Sequence, residues 1–156
     1  MRKGFTLIEL VLVFGIMLAI GLVTFATLAG RKTSTDLTAT TQQVATLLRQ
    51  AQSDAMEQEN NVSWGVHFSN TTNPAPFYAL FTTSYSTATV VGNLYQLPST
   101  VAYQTSTLGV GSTTDIIFSQ ISGLSSISTT IGFYMPKQST AFSSTISIAS
   151  SGAVSY

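Results

Sequence analysis

The chain has 156 residues, no cysteine, equal numbers of acidic and basic side chains, and only 8% charged residues. That length suits one domain with a helical appendage. The missing cysteines exclude disulfides, thiolate chemistry and cysteine-based metal sites, and zero net charge gives no global attraction for nucleic acid or an anionic surface.

The chain opens Met1-Arg2-Lys3-Gly4-Phe5-Thr6-Leu7-Ile8-Glu9. Residues 10–30 then carry no charge and are nearly all apolar. At 1.5 Å per residue they span about 31 Å, close to the hydrocarbon thickness of a bilayer. The run is longer than a signal-peptide core, and no small-residue cleavage site follows it. A buried core helix is the other reading of such a run, but the rest of the chain is too poor in apolar residues to wrap it on every side. The sequence therefore predicts a single membrane-spanning helix, with Arg2 and Lys3 favouring an N-in orientation. The small residue Gly4 stands before the run. A cut between Gly4 and Phe5 would remove a basic tetrapeptide and keep the apolar helix. Glu9 is a carboxylate beside that run, where charge is costly and marks a functional candidate. The new α-amino group of Phe5, from the same or a neighbouring chain, would be its partner. On the plainer reading, Glu9 merely ends the apolar span at the interface.

Residues 4–9, Gly-Phe-Thr-Leu-Ile-Glu, with the basic leader before them and the apolar run after, resemble the prepilin peptidase motif of type IV pilins and type II secretion pseudopilins. The resemblance implies cleavage between Gly4 and Phe5, N-methylation of Phe5, and extraction into a helical filament, with Glu9 setting subunit register. It implies as partners a prepilin peptidase, other pilin subunits through the N-terminal helix, an assembly platform and its ATPase, and membrane lipid before assembly. Loss of Arg2 and Lys3 would leave two more acidic than basic side chains, so nucleic acid is not an expected partner.

Helical periodicity continues beyond the apolar run. Leu37, Thr41, Val44, Leu48, Ala51 and Ala55 alternate at spacings of four and three, broadened by Leu47, which predicts an amphipathic helix packing one face on a domain. Gly21 and Gly30 are its weak points, each costing about 1 kcal/mol relative to alanine. The helix is expected to end near Glu59-Asn60-Asn61. The period then becomes two: Val62, Trp64, Val66 and Phe68 alternate with polar or small residues, leaving His67 on the polar face. Further strands are predicted at 77–83, 90–97, 100–104, 115–119, 130–135, 145–149 and 153–156, separated by turn-forming Asn, Pro, Ser and Gly.

These elements predict an α+β fold: a long N-terminal helical spine, membrane-spanning in its first half and amphipathic in its second, packed on an antiparallel sheet domain. The divisions are a leader at 1–4, a transmembrane and filament-core helix at 5–30, its amphipathic continuation at 31–61, and a β-rich domain at 62–156. The segment Leu48-Arg49-Gln50-Ala51-Gln52-Ser53-Asp54-Ala55, the Val-rich strand after it, and Ile117-Phe118…Gly123 and Ile146-Ser147-Ile148…Gly152-Ala153-Val154 resemble the GspH/FimT group of minor pseudopilins and minor pilins. The resemblance implies a pilin fold. The tail at 150–156 has no basic residue, unlike the relatives that capture DNA.

No pattern for catalysis or cofactor binding accompanies these features. His67 is the sole histidine, Asp115 stands alone in sequence, and no phosphate loop or nucleophile elbow is present. No metal or cofactor is expected. Asn61-Val62-Ser63 and Asn70-Thr71-Thr72 fit the N-glycosylation pattern. The sequence thus predicts a non-enzymatic filament subunit: a minor pilin or H-type pseudopilin of a type IV pilus or type II secretion system, in the cytoplasmic membrane until assembly. A filament-presented adhesin or DNA-uptake receptor is the alternative.

Overall fold

The computed structural model describes residues 6–137 and 142–156, with side chains throughout except at residues 23–33. The chain divides into two units, Met1–Thr35 and Asp36–Tyr156. Helix α1, Leu7–Met56, is 50 residues long. No proline interrupts it, and the helix runs on through Gly15, Gly21 and Gly30.

In the first unit, residues 7–22 form helix with every side chain exposed. Thr6 starts it: its Oγ1 accepts the Glu9 amide at 3.3 Å, and its carbonyl accepts the amides of Glu9 and Leu10. Thr6-Leu7-Ile8-Glu9 is thus the first half of a capping box.

Among the described residues, no helix is long and apolar enough to cross a membrane. The expected transmembrane first half is corrected accordingly. So is the single-pass, N-in placement in the cytoplasmic membrane.

In the second unit, the end of α1 buries Leu37, Thr41, Val44, Leu47, Leu48, Ala51 and Ala55, together with Thr40 and Ala45. The buried threonines cost little. Thr40 Oγ1 donates to the Asp36 carbonyl and Thr41 Oγ1 to that of Leu37. The helix stops at Met56, short of the expected 59–61, because the chain turns left-handed at Gln58 and again at Asn60 and Asn61. A 3-10 turn, Glu59–Asn61, occupies that place.

Eight strands follow: β1 Trp64–Ser69, β2 Phe77–Thr82, β3 Tyr95–Gln96, β4 Ala102–Tyr103, β5 Thr113–Phe118, β6 Thr129–Tyr134, β7 Ser143–Ile148 and β8 Val154–Ser155. They form two antiparallel four-stranded sheets, ordered β3-β2-β1-β5 and β4-β6-β7-β8. The fold expectation is corrected here as well, since one sheet was expected. The strand predicted at 90–97 shrinks to a bridge between Phe81 and Val90 and the short β3.

Both sheets and the helix share one core. Trp64, Val66, Phe68, Tyr78, Leu80, Ile116 and Phe118 come from the first sheet. Tyr103, Ile131, Phe133, Ile146 and Ile148 come from the second, with Met135 just beyond β6. Polar atoms inside are paired: Tyr103 donates its hydroxyl to the Phe77 carbonyl at 2.9 Å, and Trp64 Nε1 donates to the Glu59 carbonyl at 3.1 Å.

Strand β1 is buried along its whole length, on both faces. Its alternation predicts burial of one face only. The second face is covered by Phe77, Phe81 and Tyr85. Gly65 permits that cover, because a Cβ there would stand 2.8 Å from Phe81 Cζ and 2.7 Å from the Ile116 carbonyl oxygen.

Candidate functional site

The residues singled out in sequence are Gly4, Phe5 and Glu9. Gly4 and Phe5, the expected cleavage and methylation positions, lie outside the described residues. Glu9 is exposed in the first turn of α1. Its carboxylate faces the positive end of the helix dipole, a placement worth about 0.3–1 kcal/mol at an exposed terminus. The Thr-x-x-Glu spacing was the sequence signal for this local role.

Around Glu9 the helix is apolar on all sides. Leu7 is 82% exposed and Leu22 74%, and even Val13, the least exposed large side chain of the stretch, stands at 43%. A soluble surface helix has one polar face, whereas this one has none over residues 10–22. Apolar area of this kind costs about 25 cal/mol per Å² in water, so it calls for a cover.

A second cluster lies on the outer face of the first sheet. His67 and Asp115 are directly opposed cross-strand partners, and Nδ1 meets Oδ1 at 2.5 Å. Tyr85 stacks on the imidazole with ring centroids 3.4 Å apart, and Phe77 tilts against it at 5.7 Å. His67, expected on the polar face as an exposed or partly packed residue, is buried, and Asp115 is paired where the sequence left it isolated. Burial raises the Tyr85 hydroxyl above its ordinary value, with the Asp115 charge adding to it. Nothing in the spacing of residues 67, 85 and 115 announces this group. It depends on strand register and on residues 83–94 folding back over the sheet, where Thr82 and Val91 donate to Thr89 and Leu80. Among the described residues the His67 and Asp115 pair has no hydroxyl hydrogen-bonded to its imidazole. It works as a clasp, fastening that loop to the sheet.

The remaining candidates disperse. Among the described residues no three His, Asp or Glu side chains are grouped to hold a metal ion. Asn70 is buried, and its amide donates to the Leu108 carbonyl at 2.8 Å. Arg49 donates to the Val154 carbonyl at 3.1 Å and lies over the Tyr156 ring, which ties down the C-terminal tail. No family model, curated protein sequence or solved structure matches the chain.

Proposed function

We propose that this chain is a non-catalytic structural subunit of a helical filament, either a type IV pilus or a type II secretion pseudopilus, of the minor-pilin or H-type pseudopilin kind. In this reading a prepilin peptidase cuts between Gly4 and Phe5, Phe5 is N-methylated, and an assembly platform with its ATPase adds the subunit to others through α1. Glu9 sets the register by meeting the Phe5 amine of a neighbour.

The observation that carries this reading is the helix at residues 7–22, whose side chains are exposed and apolar on all sides but for Glu9 near its start. Copies of the same helix, bundled together, remove that surface from water. The cut would leave Thr6 in place, so the cap of the helix survives it. It would also create an ammonium two residues before the helix, unfavourable beside the positive end of the dipole and offset by a carboxylate such as Glu9.

Mass spectrometry of the protein from a host with prepilin peptidase should show loss of residues 1–4 and one added methyl group. Glu9→Ala should be processed yet missing from sheared filaments, because the amine enters an apolar bundle unpaired. An intact Met1 terminus, or Glu9→Ala filaments at wild-type yield, would overturn the processing and the register role respectively.

A further inference from the structure

At the C-terminal end of α1 the domain presents a second exposed apolar surface. Met56 is 46% exposed, Ile121 69% and Leu124 49%. The loop between β5 and β6 holds them together. The Ile121 amide donates to the Ala55 carbonyl at 3.1 Å, which caps the helix, and Gln52 Nε2 donates to the Gly123 carbonyl at 3.2 Å. Gly123, at φ 62, lies so close to Met56 that a Cβ there would fall 2.7 Å from its Cγ. Ile121 itself has φ 67. A β-branched residue in the left-handed region is strained, and that strain is held here while its side chain points into solvent.

The charge around this surface has one sign. Asp54, Glu57 and Glu59 surround the end of the helix, and its last turn has no basic residue. Three carboxylates at the negative end of a helix dipole repel each other and the dipole. In keeping with this, burial raises the Asp54 carboxyl, and Glu59 and then Glu57 raise it further. Such a surface selects a partner that is apolar and cationic together.

The chain has one pair of adjacent basic residues beyond the leader, and it follows an apolar run. Beyond the leader its basic residues are Arg31, Lys32, Arg49 and Lys137. Arg49 is engaged with Val154 and Tyr156. Arg31 and Lys32 are adjacent and follow Leu28-Ala29-Gly30 in α1. We infer that the Met56–Ile121–Leu124 surface, with Asp54, Glu57 and Glu59 around it, docks the Leu28-to-Lys32 segment of a second copy of this chain. The two surfaces differ, so the contact is head-to-tail and propagates into an open helix instead of closing a dimer. It rests on the filament reading above and adds to it a lateral register contact made by the domain, separate from Glu9.

The test is a charge swap in the full chain, expressed with its assembly machinery. Arg31→Glu with Lys32→Glu should lower the yield of sheared filaments by more than about tenfold, since like charges then face each other. Adding Glu57→Lys and Glu59→Lys should restore most of that yield. The chain has no cysteine, so Lys32→Cys with Glu57→Cys should give a disulfide-linked ladder of subunits in filaments, and Gln43→Cys with Glu57→Cys should not. Filaments indifferent to the reversal, or no ladder from the Lys32 and Glu57 pair, would overturn this contact and leave the filament reading standing. A wild-type chain that forms no filament overturns both.

Discussion

One helix, α1, is built in two chemical styles. Over residues 7–22 its apolar side chains point in every direction and all are exposed. From Leu37 to Ala55 the large apolar residues keep to one face, and that face is buried in a core shared with two sheets. The helical backbone bonding is the same in both. What differs is where the stabilisation comes from. A helix of this length in water owes most of its stability to packing of an apolar face. The second half finds that packing within its own chain, whereas the described side chains of the first half are exposed. Stabilising the domain and presenting apolar surface are therefore assigned to separate turns of α1, and in the filament reading proposed above the second of these serves assembly.

Matched substitutions provide the sharpest test of this contrast. Leu48→Asp places a carboxylate at a fully buried position and should cost about 4 kcal/mol or more, much of the 5–15 kcal/mol typical of a domain. Leu12→Asp, at a position 59% exposed, should change domain stability by no more than about 0.5 kcal/mol. Trp64, the single tryptophan and buried, reports both through its fluorescence during denaturation. Equal effects from the two variants would erase the distinction between the halves.

Alkaline titration separates them next. Burial pushes the Tyr78 hydroxyl up to about 12, with Tyr95 adding to it, and holds that of Tyr103 higher still. An unfolded tyrosine loses its proton near 10, so the folded chain binds more protons between these values. Stability should therefore fall as pH rises from about 10 to 12, by about 2 kcal/mol from Tyr78 alone. Tyr78→Phe should remove that part of the loss. Helical circular dichroism from residues 7–22, a stretch without tyrosine, should persist after the Trp64 signal has changed. Simultaneous loss of both signals would show the halves to be one cooperative unit.

The smallest effect concerns Asp54, whose carboxyl is raised by burial and by Glu59 and Glu57. The folded chain holds that proton more tightly than the unfolded chain. Asp54 thus weakens the fold above its folded pKa, and this effect fades as pH falls through it. Asp54→Asn should raise the melting temperature slightly at pH 7 and leave it unchanged at pH 3. A gain at pH 3 would assign the effect to packing and not to charge.

Much of the domain was legible one residue at a time. The four–three spacing from Leu37 to Ala55 marks residues that are buried, because helix geometry alone puts them on one face. Trp64, Val66 and Phe68 point into the core, as a period of two requires. The candidate site was legible only as a motif, since Gly4 and Phe5 lie outside the described residues. The cap at Thr6 was written in the Thr-x-x-Glu spacing beside it. The membrane span read from residues 10–30 is not matched by any helix among the described residues, and hydropathy by itself does not say what will cover an apolar surface.

By itself, then, the sequence determined local matters: which residues share a helix face, where the period changes, and where charge is absent. Tertiary structure decided that the strands divide between two sheets, that residues 83–94 close over His67, and that Asp115 becomes its partner. It also decided that Ile121 caps the helix with its amide while its side chain stays in solvent. The physical reason is range. Periodicity and capping act over one or two turns of chain, whereas register, sheet order and the cover of a face are set by contacts between residues tens of positions apart, which no local spacing encodes.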